Sequence, residues 1–195
     1  MNKKGGFGFS IVLAIIISAC GDSKNKEIVK DPLARMHDSL VRLIDTNEAK
    51  INSSKNSGAL DMQLASRAVN TYQLFVNKFP ADSNAALYLF KTAAIYEGAL
   101  QQYNAAVSCL EKITQDYPSF KKLPTVYLQL GVIYDDNLND EVKAKMYYET
   151  FLKRFPNSKM ASQVQILISD LGKSNNDLCK EFDKKNLPAG QAGKK

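Results

Sequence analysis

Tryptophan is absent from these 195 residues, histidine occurs once, at His37, and cysteine three times. A zinc site built on several histidines is excluded, and so is a disulfide-dense scaffold. There is no glycine-rich phosphate loop, no Ser-His-Asp set and no Cys-x-x-Cys pair. Apolar residues make up 45% and charged residues 24%, a globular balance that excludes wholesale disorder, a multi-span membrane protein and a collagen-like chain. Packing without tryptophan falls to nine Tyr and nine Phe. A one-sided charge is also lacking where it would count. Of the net +6, Lys3 and Lys4 contribute two and the segment from Lys173 to Lys195 three, which leaves +1 for residues 20 to 172. A nucleic-acid binder concentrates cations on its folded body, so no nucleic-acid partner is expected.

The one long apolar run follows Lys3 and Lys4. Residues 1–20, MNKKGGFGFSIVLAIIISAC, read as a short basic start, an apolar stretch from Ile11 to Ile17, and small residues. That is the layout of an export signal, and the run is too short to span a bilayer. Ile17-Ser18-Ala19-Cys20 resembles the bacterial lipobox. The resemblance implies cleavage before Cys20 and acylation of that cysteine, so residues 1–19 are a lipoprotein signal peptide. Gly21 follows rather than an aspartate, which points to the outer membrane, facing the periplasm. Residues 20–30 form the lipidated cysteine and a polar tether. No cofactor is expected beyond the covalent lipid on Cys20.

The rest of the chain repeats every 38 residues. Phe79-Pro80, Tyr117-Pro118 and Phe155-Pro156 are spaced by 38, as are Ala68, Ala106 and Ala144, then Tyr72, Leu110 and Tyr148, then Phe75, Ile113 and Phe151. Tyr96 and Tyr134 repeat once, and so do Ala93 and Gly131. Within each repeat the apolar residues fall at helical spacing, such as Tyr127, Leu130, Gly131 and Tyr134. Each proline closes one helix and opens the loop to the next.

Tyr127-x2-Leu130-Gly131-x2-Tyr134, Ala144-x3-Tyr148 and Pro156 resemble the tetratricopeptide repeat, with Tyr in place of Trp. The preceding repeat, through Leu89, Ala93, Tyr96, Ala106, Leu110 and Pro118, is looser. The resemblance covers about residues 60 to 172, with clear repeats at about 83–118 and 121–156. It implies an all-α fold, a short right-handed α-solenoid of helix hairpins with a terminal capping helix, over residues 31–172. Long repeats ending in an aromatic-proline pair are similar to the periplasmic BamD/YbgF-like subgroup. Residues Pro32 to Ile51 are expected to form the first helix, with Leu33, Met36, Leu40, Leu43 and Ile44 on one face. Ser53 to Gly58 is expected to be a loop. Ser158 to Gly172 is expected to be the cap, with Val164, Leu167, Ile168 and Leu171 inward. The basic tail at 173–195 is expected to be largely disordered.

Candidates for chemistry are few. His37 sits in an amphipathic helix without a nucleophile motif and reads as a surface or satisfied histidine. Cys109 falls on an inward face and reads as a buried thiol. A Cys109–Cys179 disulfide is compatible with an oxidising compartment, but sequence does not show proximity. The acidic stretch Asp135, Asp136, Asn137, Asn139, Asp140 and Glu141 departs from a calcium loop, which requires Gly at 140 and Glu at 146. It reads as a solvated turn whose acids cap the next helix. No catalytic residue and no metal site is expected, and the chain is not read as an enzyme.

What remains is a binding groove. The family binds peptides on the concave face formed by the first helix of each pair. Matching positions are Leu87, Phe90, Ala94 and Glu97, then Thr125, Leu128, Val132 and Asp135. The Lys and Asn with which some cytosolic members clamp a carboxylate are missing, because Phe90, Ala94, Leu128 and Val132 stand there. The groove is therefore expected to be apolar with acidic ends, either open to a helix or extended peptide or filled by a neighbouring terminal helix. The resemblance implies a membrane-anchored scaffold for protein partners in the bacterial envelope, in outer-membrane protein assembly. The alternative is an adaptor lipoprotein in cell division, peptidoglycan or motility processes.

Overall fold

The computed structural model describes residues 31–55 and 61–173. The signal run, Cys20, the tether, residues 56–58 of the expected loop, and the tail from 174 onward with Cys179 lie outside them. Contacts divide the chain into two units, Met1–Asp31 and Pro32–Lys195, and every helix below belongs to the second.

Among the described residues all regular structure is helical. The order is α1 (Pro32–Lys55), α2 (Met62–Lys78), α3 (Ala85–Gly98), α4 (Tyr103–Asp116), α5 (Leu123–Val132), α6 (Glu141–Arg154) and α7 (Ala161–Asp170). Each helix packs on the next in sequence, so the helices pair as hairpins and the hairpins stack into a solenoid. The fold class is the one the repeat spacing predicts. Phe75, Leu110, Ile113, Leu130, Tyr148 and Phe151 are fully buried along one continuous core, each such side chain contributing about 1.5–3 kcal/mol by leaving water.

The 38-residue period is visible in the backbone itself. Phe79, Tyr117 and Phe155 end α2, α4 and α6 with φ of −131°, −128° and −130°. With ψ of 58°, 60° and 53° these residues leave the helical region, which a following proline disfavours. In each case the aromatic residue's N–H closes the helix, and its carbonyl accepts from the residue three further on: Asp82 N, Phe120 N and Ser158 N, all at 3.0 Å. The hairpin turns repeat as well. Gln102 N donates to Tyr96 O at 2.8 Å and Asp140 N to Tyr134 O at 2.7 Å. Among the described residues Gln101 and Asn139, 38 residues apart, are the non-glycine residues with positive φ, 52° and 51°.

Three expectations change. First, α1 runs on to Lys55, so Ser53 to Lys55 are helical rather than loop. Second, its inward stripe is Leu40, Ile44, Asn47 and Ile51, while Leu33 is 51% and Leu43 47% exposed. Leu43 is rotated off that stripe, and Leu33 lies a turn beyond His37, which meets the end of α2 at Phe79. Third, Ile133–Asn137 is a single π-helical turn continuing α5, so Asp135, Asp136 and Asn137 are helical and only the residues after them turn. At the far end α7 packs on α6 with Val164 fully buried, and Leu167, Ile168 and Leu171 are half-buried against the core.

Candidate partner-binding groove

Successive hairpins place α3 and α5 side by side and pointing the same way. Phe90 of α3 meets Phe120 just before α5, with ring centroids 6.0 Å apart. One to two turns on, Glu97 accepts a hydrogen bond from Gln129 Nε2. The predicted groove residues distribute along this pair. Leu87, Phe90, Leu128 and Val132 are half-buried, Thr125 is half-buried at the start of α5, and Ala94 is exposed. Phe90, Leu128 and Val132 rest on the core with part of each side chain open. Lys122 Nζ stands 5.2 Å over the Phe90 ring, within reach of a cation–π attraction.

The structure corrects one expectation: the groove has one acidic end, and its other end is basic. Because α3 and α5 are parallel, equivalent positions fall at the same end, so Glu97 and Asp135 are both at the hairpin-turn end. The opposite end carries Lys121 and Lys122. Burial, with Asp136 and Glu141 close by, pushes the Asp135 carboxyl above its usual range.

Sequence reasoning missed the wall on the α1 side. A cavity of about 580 Å³ lies between α1 and α3, lined by Glu48, Ile51 and Asn52 of α1, Tyr72 of α2, and Lys91, Ala94 and Ile95 of α3, and closed by Gly98 and Ala99. Glu48 Oε1 accepts from Tyr72 Oη at 2.8 Å and Lys91 Nζ at 2.5 Å. Burial raises the Glu48 carboxyl, but the bonds from Lys91 and Tyr72 outweigh it and hold the group below its usual range. Burial and then Glu48 push the Tyr72 phenol up. Glu111 plays a comparable part deeper in the stack, accepting from Tyr147 Oη at 2.7 Å and Tyr134 Oη at 3.2 Å. The tyrosines were legible as periodic packing residues. Their acceptors were not, since a glutamate on a helix surface carries no sign of which neighbour it will meet.

The other candidates resolve simply. His37 Nε2 lies 3.0 Å from Asp82 Oδ2, and the ring packs against Phe75 and Phe79 at 5.2 and 4.9 Å. It is a satisfied histidine that ties α1 to the α2–α3 loop. Cys109 is a buried free thiol, pushed up to about 11 by burial; Cys179 lies outside the described residues. Asp140 caps α6, accepting from Lys143 N at 3.0 Å.

Residues 88–119 and 125–158 match the family model of the tetratricopeptide repeat. These two segments are tetratricopeptide repeats. The first repeat comprises α3, α4 and the Pro118 loop, and the second α5, the π turn, α6 and the Pro156 loop. No curated protein matches the chain. Tetratricopeptide repeats act as protein–protein interaction scaffolds. Hairpin α1–α2 precedes the matched repeats. Glu48 of α1 holds the Tyr72 hydroxyl there, whereas Gly131 of α5 lies against the ring of Tyr148.

Proposed function

We propose that this chain is a lipid-anchored scaffold of the bacterial envelope that captures a protein partner in the groove between α3 and α5, without catalysis. Leu87, Phe90, Leu128 and Val132 carry the reading. They form a half-open apolar strip along two parallel helices, while α7 is occupied with α6. An amphipathic helix or extended peptide suits this strip, its apolar anchors meeting Phe90 and Leu128 and its basic end meeting Glu97 and Asp135. The lipobox-like Ile17-Ser18-Ala19-Cys20 supports acylation at Cys20 and an outer-membrane, periplasm-facing location. Two or more acyl chains suffice for stable anchoring, and confinement at a membrane raises the effective concentration of a partner held there. The specific role we assign is outer-membrane protein assembly, on the resemblance to the BamD/YbgF-like subgroup.

The test is affinity capture of the acylated chain from crosslinked envelopes, beside a Phe90→Ser, Leu128→Ser variant shown to be folded by its thermal melt. Barrel-assembly components recovered with the parent and lost with the variant are the expected result. Capture that survives in the folded variant rejects the groove. Recovery of division or peptidoglycan proteins instead keeps the scaffold and rejects the assembly role.

A further inference from the structure

The near-neutral charge of the repeat body conceals a separation of charge along the helix direction. One end of the solenoid comprises the three proline loops, the helix turns flanking them and the first turn of α1, which His37 joins to the Pro80 loop through Asp82. The first two loops touch, Tyr117 Oη donating to Pro80 O at 2.9 Å, and Phe155 of the third meets Tyr127 of α5 at 5.9 Å. This end holds Arg35 and Lys78, then Lys121 and Lys122 ahead of α5, then Lys153, Arg154 and Lys159 around the third loop. Its loop acids Asp82 and Asp116 are turned to His37 and to Lys112 at 2.5 Å, and Asp31 and Asp38 flank the first turn of α1. The lysines at 78, 121, 122, 153 and 159 make no ion pair among the described residues. A cleft of about 790 Å³ between the first two loops includes Lys121 and Lys122 in its lining.

The opposite end has the reverse character. Asp61, Glu97, Asp135 and Asp136 gather there with Asp140, Glu141 and Asp170, and the described basic side chains among them, Lys143 and Lys173, are paired with Asp140 and Asp170.

We infer that the proline-loop end is a docking face for an anionic bilayer surface, so that the solenoid stands on the membrane with its acidic hairpin turns pointing away. Two observations favour a bilayer over other polyanions. The cations come from three successive loops at one end of parallel helices, a broad face rather than a groove that would track a strand. Pro32 lies at this same end, so residues 20–31, which would carry an acylated Cys20, are joined to the molecule on the basic side. That segment of about 12 residues spans at most about 40 Å, while attraction between exposed cations and a charged surface acts within about 8–10 Å. The tether therefore brings the domain near the membrane, and the lysines hold one end down. The second step would also aim the groove, with Lys121 and Lys122 near the lipid and Glu97 and Asp135 away from it.

This inference rests on the anchor reading only for what brings the domain close, so the test removes the anchor. Full-length chain carrying Cys20→Ser is floated with vesicles of phosphatidylcholine, alone or with about 30% phosphatidylglycerol, at about 0.05 and 0.5 M salt. The expected result is a preference for the anionic vesicles that falls about tenfold or more when Lys121→Gln, Lys122→Gln and Lys159→Gln are combined, and that high salt abolishes. Asp136→Asn, at the other end, is expected to leave it unchanged. Lys3, Lys4 and the basic tail are common to all variants and cancel in the comparison. Equal partitioning of the parent and the triple variant overturns the inference. Lysine-dependent retention on a DNA duplex without a vesicle preference also overturns it, in favour of a nucleic acid. Absence of acyl mass on Cys20 in the unmodified chain fails the anchor reading alone.

Discussion

Gly131 lies beneath the ring of Tyr148 so closely that a methyl group in place of its hydrogen would come within 2.2 Å of Cε1. Tyr148 is fully buried and has no room to swing aside. This contact sets the spacing of α5 and α6.

Gly131→Ala is therefore expected to destabilise the domain. Alanine favours the helix by about 1 kcal/mol, but overpacking a closed core costs about 1–3 kcal/mol. A net loss of up to about 2 kcal/mol should appear as a lower urea midpoint at unchanged slope. A higher midpoint would show that α5 and α6 can move apart freely.

Tyr72 and Tyr148 occupy equivalent positions two repeats apart, yet their hydroxyls differ. Tyr72 Oη bonds Glu48, while Tyr148 Oη is buried near the Asp135 carboxyl without a well-formed hydrogen bond. Tyr72→Phe is expected to cost about 0.5–1.5 kcal/mol and to loosen the Glu48–Lys91 pair. Tyr148→Phe is expected to cost less than Tyr72→Phe, because it removes a buried hydroxyl with no well-formed hydrogen bond. Equal losses in the two melts would contradict this contrast.

Burial tends to raise the Asp82 carboxyl, but the Asn84 amide and His37 outweigh burial and hold it below its usual range. A carboxylate whose folded pKa is depressed adds stability above its unfolded pKa, about 3.9, and that stability is lost as pH falls through the folded value. Stability is thus expected to fall on acidification below about pH 4. Asp82→Asn should lower it at pH 7 and flatten the acid limb. Urea melts from pH 3 to pH 7 would check this, and an unchanged acid limb would reject it.

Gln101 holds φ of 52° with no glycine to ease it. Left-handed backbone costs an ordinary residue roughly 1–2 kcal/mol, part of which glycine returns through the extra freedom of the unfolded chain. Gln101→Gly is expected to stabilise by about 0.5–1 kcal/mol. Asn139→Gly, at the equivalent turn, should gain less, since asparagine tolerates this region. Thermal melts of the two variants give the comparison.

Much of the fold was legible because each repeat writes its own local rules. The aromatic-proline pair at 79, 117 and 155 imposes one backbone conformation, and Ala106, Leu110 and Ile113 mark a buried face without reference to any other helix. Hairpin α1–α2 was harder. Its first helix contains neither Gly nor Tyr, and helical spacing alone puts Leu33 and Leu43 inward because it does not say where a neighbour's cover stops. The π turn at Ile133–Asn137 had no signal in apolar periodicity. The groove positions could be named by register, but their acidic residues were placed at the correct end only once α3 and α5 were seen to be parallel.

The sequence by itself determined the period, the all-helical class, the helix stops at the prolines and the inward faces of the matched repeats. Each of these follows from constraints acting within a few residues: a fixed φ, a missing N–H, a side chain returning every 3.6 positions. Tertiary structure alone decided which glutamate meets which tyrosine, how far α1 stands from α2, and that seven acids and seven bases in a nearly neutral body collect at opposite ends. Those outcomes depend on which helices lie side by side and in what direction, so residues tens of positions apart share a surface or a hydrogen bond that no local pattern records.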